Sequence, residues 1–358
     1  MIGNLKLFLM LHIVLWYNIA AATMTNEKQS TEWYAVVTGA NKGIGFEIVR
    51  QLAASGVTVL LAGKNEKRGT DAMASLHGLG LSNVNNAGAS GVVVDKDGLR
   101  ALNIDPASWV RKATNIVQGV MITTNEKVKE CLDINYYGVK NLTQALLPLL
   151  QHSTFGARII NVSSIRGELW RIPNEQIRKE LEDLTSLTEE KIDGFVEKFL
   201  PDLSNDELEA NGWSKMLPAY SVSKAMLNAY TRVLARKYPK MCVNCVHPGY
   251  VETDINWHTG TMTVEEGAQG SVMLALLPEG GGSMERCRVV VKGAVYKGGD
   301  KWFLGVQGGD GGGHVEVKSL LNRDDSFSRG YLKASKRGSV IHRECTSTTH
   351  VEIPNGLS

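Results

Sequence analysis

The chain has 358 residues, 43% hydrophobic and 21% charged, with 39 Lys and Arg against 37 Asp and Glu. That composition is ordinary for a globular protein and excludes a disordered polyelectrolyte, and a net charge of +2 gives no ground for a nucleic-acid partner. Five scattered cysteines, Cys131, Cys242, Cys245, Cys287 and Cys345, make no disulfide framework. The C-x-x-C of Cys242 and Cys245 falls in a run that reads as a strand, where small core residues are expected rather than metal or redox chemistry.

Residues 1–23 carry Lys6, an apolar run and small residues at its end, the pattern of a signal peptide. The run is too short and too interrupted, by His12 and Asn18, for a stable membrane span. Met24 offers an alternative start just ahead of the first strand. Sequons at Asn141 and Asn161 fall in an expected helix and an expected buried strand, where glycans would disrupt the fold. A cytoplasmic location is therefore expected over a secretory route.

Trp33 to Val37 is a short apolar, β-prone run, and from Ile44 the apolar residues Ile44, Ile48 and Leu52 recur at helical spacing. Between them lies Thr38-Gly-Ala-Asn-Lys-Gly-Ile-Gly45. Glycines there let the backbone approach a ligand, and free N–H groups at the helix start attract a pyrophosphate. Residues 57–62 read as a second strand and 66–77 as a helix. Where a dinucleotide fold presents an acid to the adenosine ribose, this chain has Lys64 and Asn65, and its glycine loop carries Lys42. Two cations without an acid favour the 2′-phosphate of NADP(H). Only residues 78–84 separate that helix from Asn85-Asn86-Ala87-Gly88, too few for the strand, helix and strand expected before such a loop.

Residues 126–150 read as a long amphipathic helix whose apolar stripe Asn135 interrupts. Arg158–Val162 reads as a strand running into Ser163-Ser164. Residues 165–219 form a helical insertion, with a capping box expected at Ser186-x-x-Glu189. Tyr220–Tyr238 is a helix, Met241–Val246 a strand and His247–Val251 a loop at its end. Residues 283–358, rich in Gly at first and then in Ser, Thr and basic residues, read as largely disordered, with Val289–Val291 an isolated strand.

Tyr220-Ser-Val-Ser-Lys224 puts a phenol and an ammonium on one helix face, where the cation is expected to draw the phenol's pKa toward neutrality. A Ser164 hydroxyl at a strand end could hold a carbonyl oxygen beside it.

Taken together, Thr38–Gly45, Asn85–Gly88, Asn135-Tyr-Tyr-Gly138, Asn161-Val-Ser-Ser164, Tyr220–Lys224 and His247-Pro-Gly-Tyr-Val-x-Thr253 resemble the short-chain dehydrogenase/reductase family over about residues 32–282. Within it the chain is most similar to the plant carbonyl reductases that include salutaridine reductase and neomenthol dehydrogenase. The resemblance implies an α/β fold with a Rossmann-type doubly wound parallel sheet in residues 24–282. It further implies a monomeric NADPH-dependent reductase of an apolar carbonyl compound such as a terpenoid, alkaloid or aromatic ketone. Tyr220 would be the general acid, Ser164 the carbonyl-orienting hydroxyl, Lys224 the ribose ligand, and Asn135 the holder of a relay water. The cofactor would rest on Gly39, Asn41, Lys42, Gly43, Ile44 and Gly45, then Lys64, then Asn86, Ala87 and Gly88, and finally Pro248, Gly249, Val251 and Thr253. The insertion, rich in Leu, Phe and Trp213, would roof the substrate pocket and cover the helices that relatives use to dimerise. Against this stands the missing stretch before Asn85. It implies a sheet without the family's third and fourth strands, and so a second reading as an inactive remnant with no closed cofactor site.

Overall fold

The computed structural model describes residues 33–63, 83–102, 119–153, 156–276 and five strands beyond residue 287. The expectations for the leader, for Lys64 and Asn65, and for the helix over 66–77 lie outside the described residues.

Strand β1 (Tyr34–Thr38) runs into α1 (Gly43–Ala54), which returns the chain to β2 (Thr58–Ala62). Strand β3 (Asn83–Asn85) follows, then a small hairpin sheet of β4 (Val93–Val94) and β5 (Met121–Ile122), with α2 (Lys96–Ala101) between them. Helix α3 (Asn125–Leu132), capped by the Thr124 hydroxyl, passes through a π-helical turn (Asp133–Tyr137) into α4 (Gly138–Gln151). The expected long helix is thus present, with Asn135 in its widened turn. Such turns mark places where an extra residue is accommodated, often at a site.

Strand β6 (Arg158–Val162) leads into the insertion helices α5 (Glu175–Glu182) and α6 (Glu189–Ser204), then α7 (Pro218–Lys237), β7 (Cys242–His247) and α8 (Val264–Ala275). Helix α6 is capped by Thr188, whose hydroxyl accepts from Lys191 N, and not by Ser186 as the sequence suggested. Ser186 is taken up in the turn from Asp183, where its N–H donates to the Asp183 carbonyl.

The order β2-β1-β3-β6-β7 is parallel throughout. This corrects the expectation that the fourth family strand is missing. Residues 83–85 supply it: Val36 and Val37 pair with Asn83 and Val84 on one side, and Ile159, Ile160 and Asn161 pair with Asn83, Val84 and Asn85 on the other. A strand flanked on both sides needs only enough length to reach both neighbours, and its last residue is Asn85 itself. Among the described residues β2 is the sheet's edge, so the outer strand beyond it has no counterpart there.

Strand β8 (Arg288–Val291) pairs in parallel with β7 through Val246 and His247, rather than standing alone. Four more described strands, 294–297, 305–307, 314–320 and 327–333, continue antiparallel. The reading of the tail as largely disordered otherwise falls outside the described residues.

Alternation along β6 divides two cores. Ile160 and Val162 pack with Val37, Ile48, Leu52, Val84, Val246 and Ala268 beneath α1 and α8. Ile159 faces the opposite way, joining Leu132, Tyr136, Ala225, Met226, Phe199 and Trp213 from α3, the π turn, α6 and α7. Helices on both faces of a parallel sheet leave the carboxyl ends of the strands as the open edge, where ligands bind in such folds.

Candidate active site

The C-terminal ends of β1, β3, β6 and β7 deliver the glycine loop, the Asn86–Gly88 loop, Ser164 and the Pro248–Thr253 loop to that edge. The first two loops are stitched together. Thr38 Oγ1 accepts from the N–H groups of Asn86 (3.0 Å) and Ala87 (3.1 Å), and Asn86 Nδ2 donates to the carbonyls of Thr38 (3.1 Å) and Gly39 (3.3 Å). Gly39 has φ +62°, and a Cβ there would sit 2.9 Å from Ala87 Cα, so glycine is demanded by the neighbouring loop as well as by any ligand. Gly45 is similarly confined, since a Cβ would run into Asn86 Nδ2 and the Gly39 carbonyl.

The start of α1 fits an anion. Its N-cap, Lys42, is extended and makes no side-chain cap, and the first turn holds no acid. The N–H groups of Gly43, Ile44 and Gly45 are therefore offered at the positive end of the helix dipole. Ile44 packs on the core below, and the Asn41 side chain covers Gly63 at the end of β2. Lys42 pairs with Asp254 across the cleft.

Asn135 is fully buried and fully used. Its Oδ1 accepts from Ala89 N (2.8 Å), and its Nδ2 faces the Ala89 carbonyl (3.0 Å), Ser223 Oγ (3.0 Å) and Cys131 Sγ (3.2 Å). The side chain clamps the Asn86–Gly88 loop against α3 and α7.

Of the two serines, Ser163 donates to Asn228 Oδ1 on α7, whereas the Ser164 hydroxyl accepts from Arg166 N (3.2 Å) and stands near enough to the Tyr220 phenol to favour its ionised form. Lys224 Nζ lies 5.7 Å from the centre of the Tyr220 ring and donates to the Val162 carbonyl at 2.8 Å. Burial lowers its pKa to about 8. Burial also pushes the Tyr220 phenol up to about 12, against the Ser164 hydroxyl and the charge of Arg166. Lys224 shares the helix face with Tyr220, as the spacing suggested, and Arg166 adds a second cation near the phenol.

The apolar roof is also relocated. Trp213 is 2% exposed, edge-on to Phe199 at 5.5 Å, with Nε1 donating to Asp202 at 2.7 Å. It is core, and so are Ile192, Phe195 and Phe199. A separate apolar cluster includes Val94, Leu99, Met216, Leu217, Tyr250 and Trp257, with Met216 and Leu217 from the end of the insertion and Tyr250 and Trp257 from the stretch after β7. Arg166, Ser223 and Cys131 were missed by sequence reasoning. Only Ser223, inside Tyr220–Lys224, carried any signal.

In the Pro248–Thr253 loop Gly249 has φ +95°, Val251 bridges to Met262, and Asn256 Nδ2 donates to the Val251 carbonyl (2.7 Å). This brings the Thr253 methyl within 3.5 Å of where a Gly43 Cβ would stand.

A family model described as short chain dehydrogenase matches residues 34–174. Short-chain dehydrogenase/reductase 1 of Saponaria officinalis is 47% identical over 280 residues, covering 69% of this chain and 91% of that protein. (+)-Neomenthol dehydrogenase of Arabidopsis thaliana is 40% identical over 285 residues, covering 70% and 93%. The solved structure of salutaridine reductase from Papaver somniferum superposes with a TM-score of 0.65 at 40% identity, covering 70% of this chain and 98% of that one. With this sheet order and this set of strand-end loops, the chain belongs to the short-chain dehydrogenase/reductase family of oxidoreductases.

Proposed function

We propose that the protein is an NADPH-dependent reductase that converts a carbonyl group of an apolar small molecule to an alcohol, with Tyr220 as the general acid. The observation that carries this reading is Lys224, buried one helical turn from Tyr220 with its Nζ 5.7 Å from the phenol ring, beside the buried Ser164 at the end of β6. The bound cofactor supplies the hydride that reduces the carbonyl carbon. Ser164 and Tyr220 both direct hydroxyl hydrogens to the carbonyl oxygen, and Tyr220 gives its proton to the forming alkoxide. A phenol that burial holds above its ordinary value is protonated at neutral pH, the form an acid needs. Lys224, anchored by Val162 O, keeps a largely protonated ammonium beside the phenolate that results. Arg166 adds a second positive charge there.

NADP(H) is favoured by Lys42 on the glycine loop and by the lack of any acid in the first turn of α1. The apolar cluster of Met216, Leu217, Tyr250 and Trp257 favours a terpenoid, alkaloid or aromatic carbonyl compound. The names of the plant relatives point the same way. Helices α5 and α6 pack Leu181, Ile192, Phe195 and Phe199 into the core shared with α7, which supports a monomer. The reading as an inactive remnant rested on a missing central strand, and β3 fills that place.

The test follows NADPH oxidation by the purified chain against a panel of apolar cyclic ketones and aldehydes. Wild type should turn over at least one of them, and Tyr220→Phe should lose about 10²–10⁴ in kcat. Folded protein that binds NADPH yet reduces none of the panel, or a Tyr220→Phe variant as active as wild type, refutes the proposal.

A further inference from the structure

We propose that Asp254 sets cofactor affinity by holding Lys42 in the free enzyme and surrendering it to the 2′-phosphate of an incoming phosphorylated dinucleotide. This deepens the NADP(H) reading above and rests on it. Lys42 opens α1, and Asp254 stands in a short 3-10 turn 212 positions further along the chain. Their side chains are paired, and each is about half exposed, at 54% and 55%. The pair is one of three contacts made by the same turn. Thr253 approaches Gly43, and Ile255 Cδ1 lies 3.4 Å from where a Cβ would stand on Gly88. The turn therefore spans from the glycine loop to the Asn86–Gly88 loop, the two walls between which a dinucleotide would lie.

The pair is built to be exchanged. Lys42 holds the carboxylate through Oδ2, while His258 Nε2 lies 2.9 Å from the other oxygen, Oδ1. Losing Lys42 leaves Asp254 with His258, so the carboxylate is not stranded. A phosphate dianion is a stronger partner for an ammonium than a carboxylate is. NADH has no 2′-phosphate, so it has nothing to exchange and leaves Lys42 with Asp254. In consequence Asp254 weakens binding of the phosphorylated cofactor alone and narrows the enzyme's preference.

The decisive experiment is isothermal titration calorimetry of NADPH and NADH on wild type, Asp254→Asn, Lys42→Met and the double variant, at one fixed ionic strength. Asp254→Asn should tighten NADPH by about two- to fivefold, the range an exposed ion pair carries, and leave NADH unchanged. In the Lys42→Met background the same substitution should change neither. NADPH binding that is unaltered or weakened by Asp254→Asn, or an equal tightening of both cofactors, overturns the inference while a wild-type preference for NADPH still stands. Wild type binding NADH as tightly as NADPH overturns the cofactor reading itself, and this inference with it.

Discussion

Replacing Asn135 with alanine removes a side chain that makes no contact with solvent and holds three elements together. The structure gives its amide one accepted bond from Ala89 N at 2.8 Å and donated bonds toward Ala89 O and Ser223 Oγ, each at 3.0 Å. Three such bonds contribute about 1 kcal/mol each, and the Ala89 groups and the Ser223 hydroxyl left behind lose partners in a buried place. The expected loss is about 2–4 kcal/mol. At about 2–4 °C of Tm per kcal/mol for a domain of this size, thermal unfolding should come roughly 5–15 °C earlier. Because Ala89 continues the Asn86–Gly88 loop, NADPH should also stabilise the variant less than it stabilises wild type. The assay is a thermal scan of both proteins with and without NADPH. A variant melting within about 2 °C of wild type and stabilised equally by NADPH refutes the clamp and returns Asn135 to a purely catalytic account.

Two further outcomes follow from the same geometry. His247 is held neutral by burial, aided by the positive charges of Arg171 and Lys224, with its pKa lowered from 6.5 to about 4. The unfolded chain binds the proton first on acidification, so stability is fully present above pH 6.5 and is lost as the pH falls toward 4; Tm measured across that window should drop, and His247→Gln should flatten the drop. Trp213→Ala should cost about 3–5 kcal/mol in urea unfolding, because the ring is core, yet leave KM for the carbonyl substrate unchanged; a selective rise in KM would restore Trp213 to the pocket.

The site was legible because its chemistry is carried by local patterns. Tyr220 and Lys224 meet on one helix face whatever the rest of the fold does, and Gly39 to Gly45 must lie where a strand becomes a helix. What escaped were contacts between distant segments. Nothing near Lys42 announces Asp254, and nothing near Tyr220 announces Arg166 as a second cation beside the phenol. The resemblance placed the apolar side chains of the insertion, Trp213 among them, over a ligand, whereas Phe195, Phe199 and Trp213 pack against α7 and the π turn. The short β3 escaped for another reason. Typical strand lengths were assumed, and a central strand bonded on both edges can be shorter than an edge strand, since each residue draws on two neighbours.

That short strand also decides which property of the enzyme the compressed stretch before Asn85 reaches. The reacting end of the cleft is assembled from the carboxyl ends of β1, β3, β6 and β7, and each of these strands has a neighbour on both sides. The Asn85 side chain extends the support below the loop: its Nδ2 donates to Asn161 Oδ1 at 2.8 Å, and Asn161 Nδ2 donates to Thr231 Oγ1 on α7 at 2.9 Å. The phenol, the serine and the lysine are thus tied to the same three-residue strand that carries the Asn86–Gly88 loop. Among the described residues, β2 is the edge of the parallel half of the sheet, and in a doubly wound sheet the end of that strand faces the adenosine half of a dinucleotide. Under the proposed function, shortening there acts on how tightly the cofactor is held and leaves the placement of Tyr220, Ser164 and Lys224 intact. Lys42 on the glycine loop is paired with Asp254, so the exchange proposed above acts on cofactor binding, by about the two- to fivefold that an exposed ion pair carries.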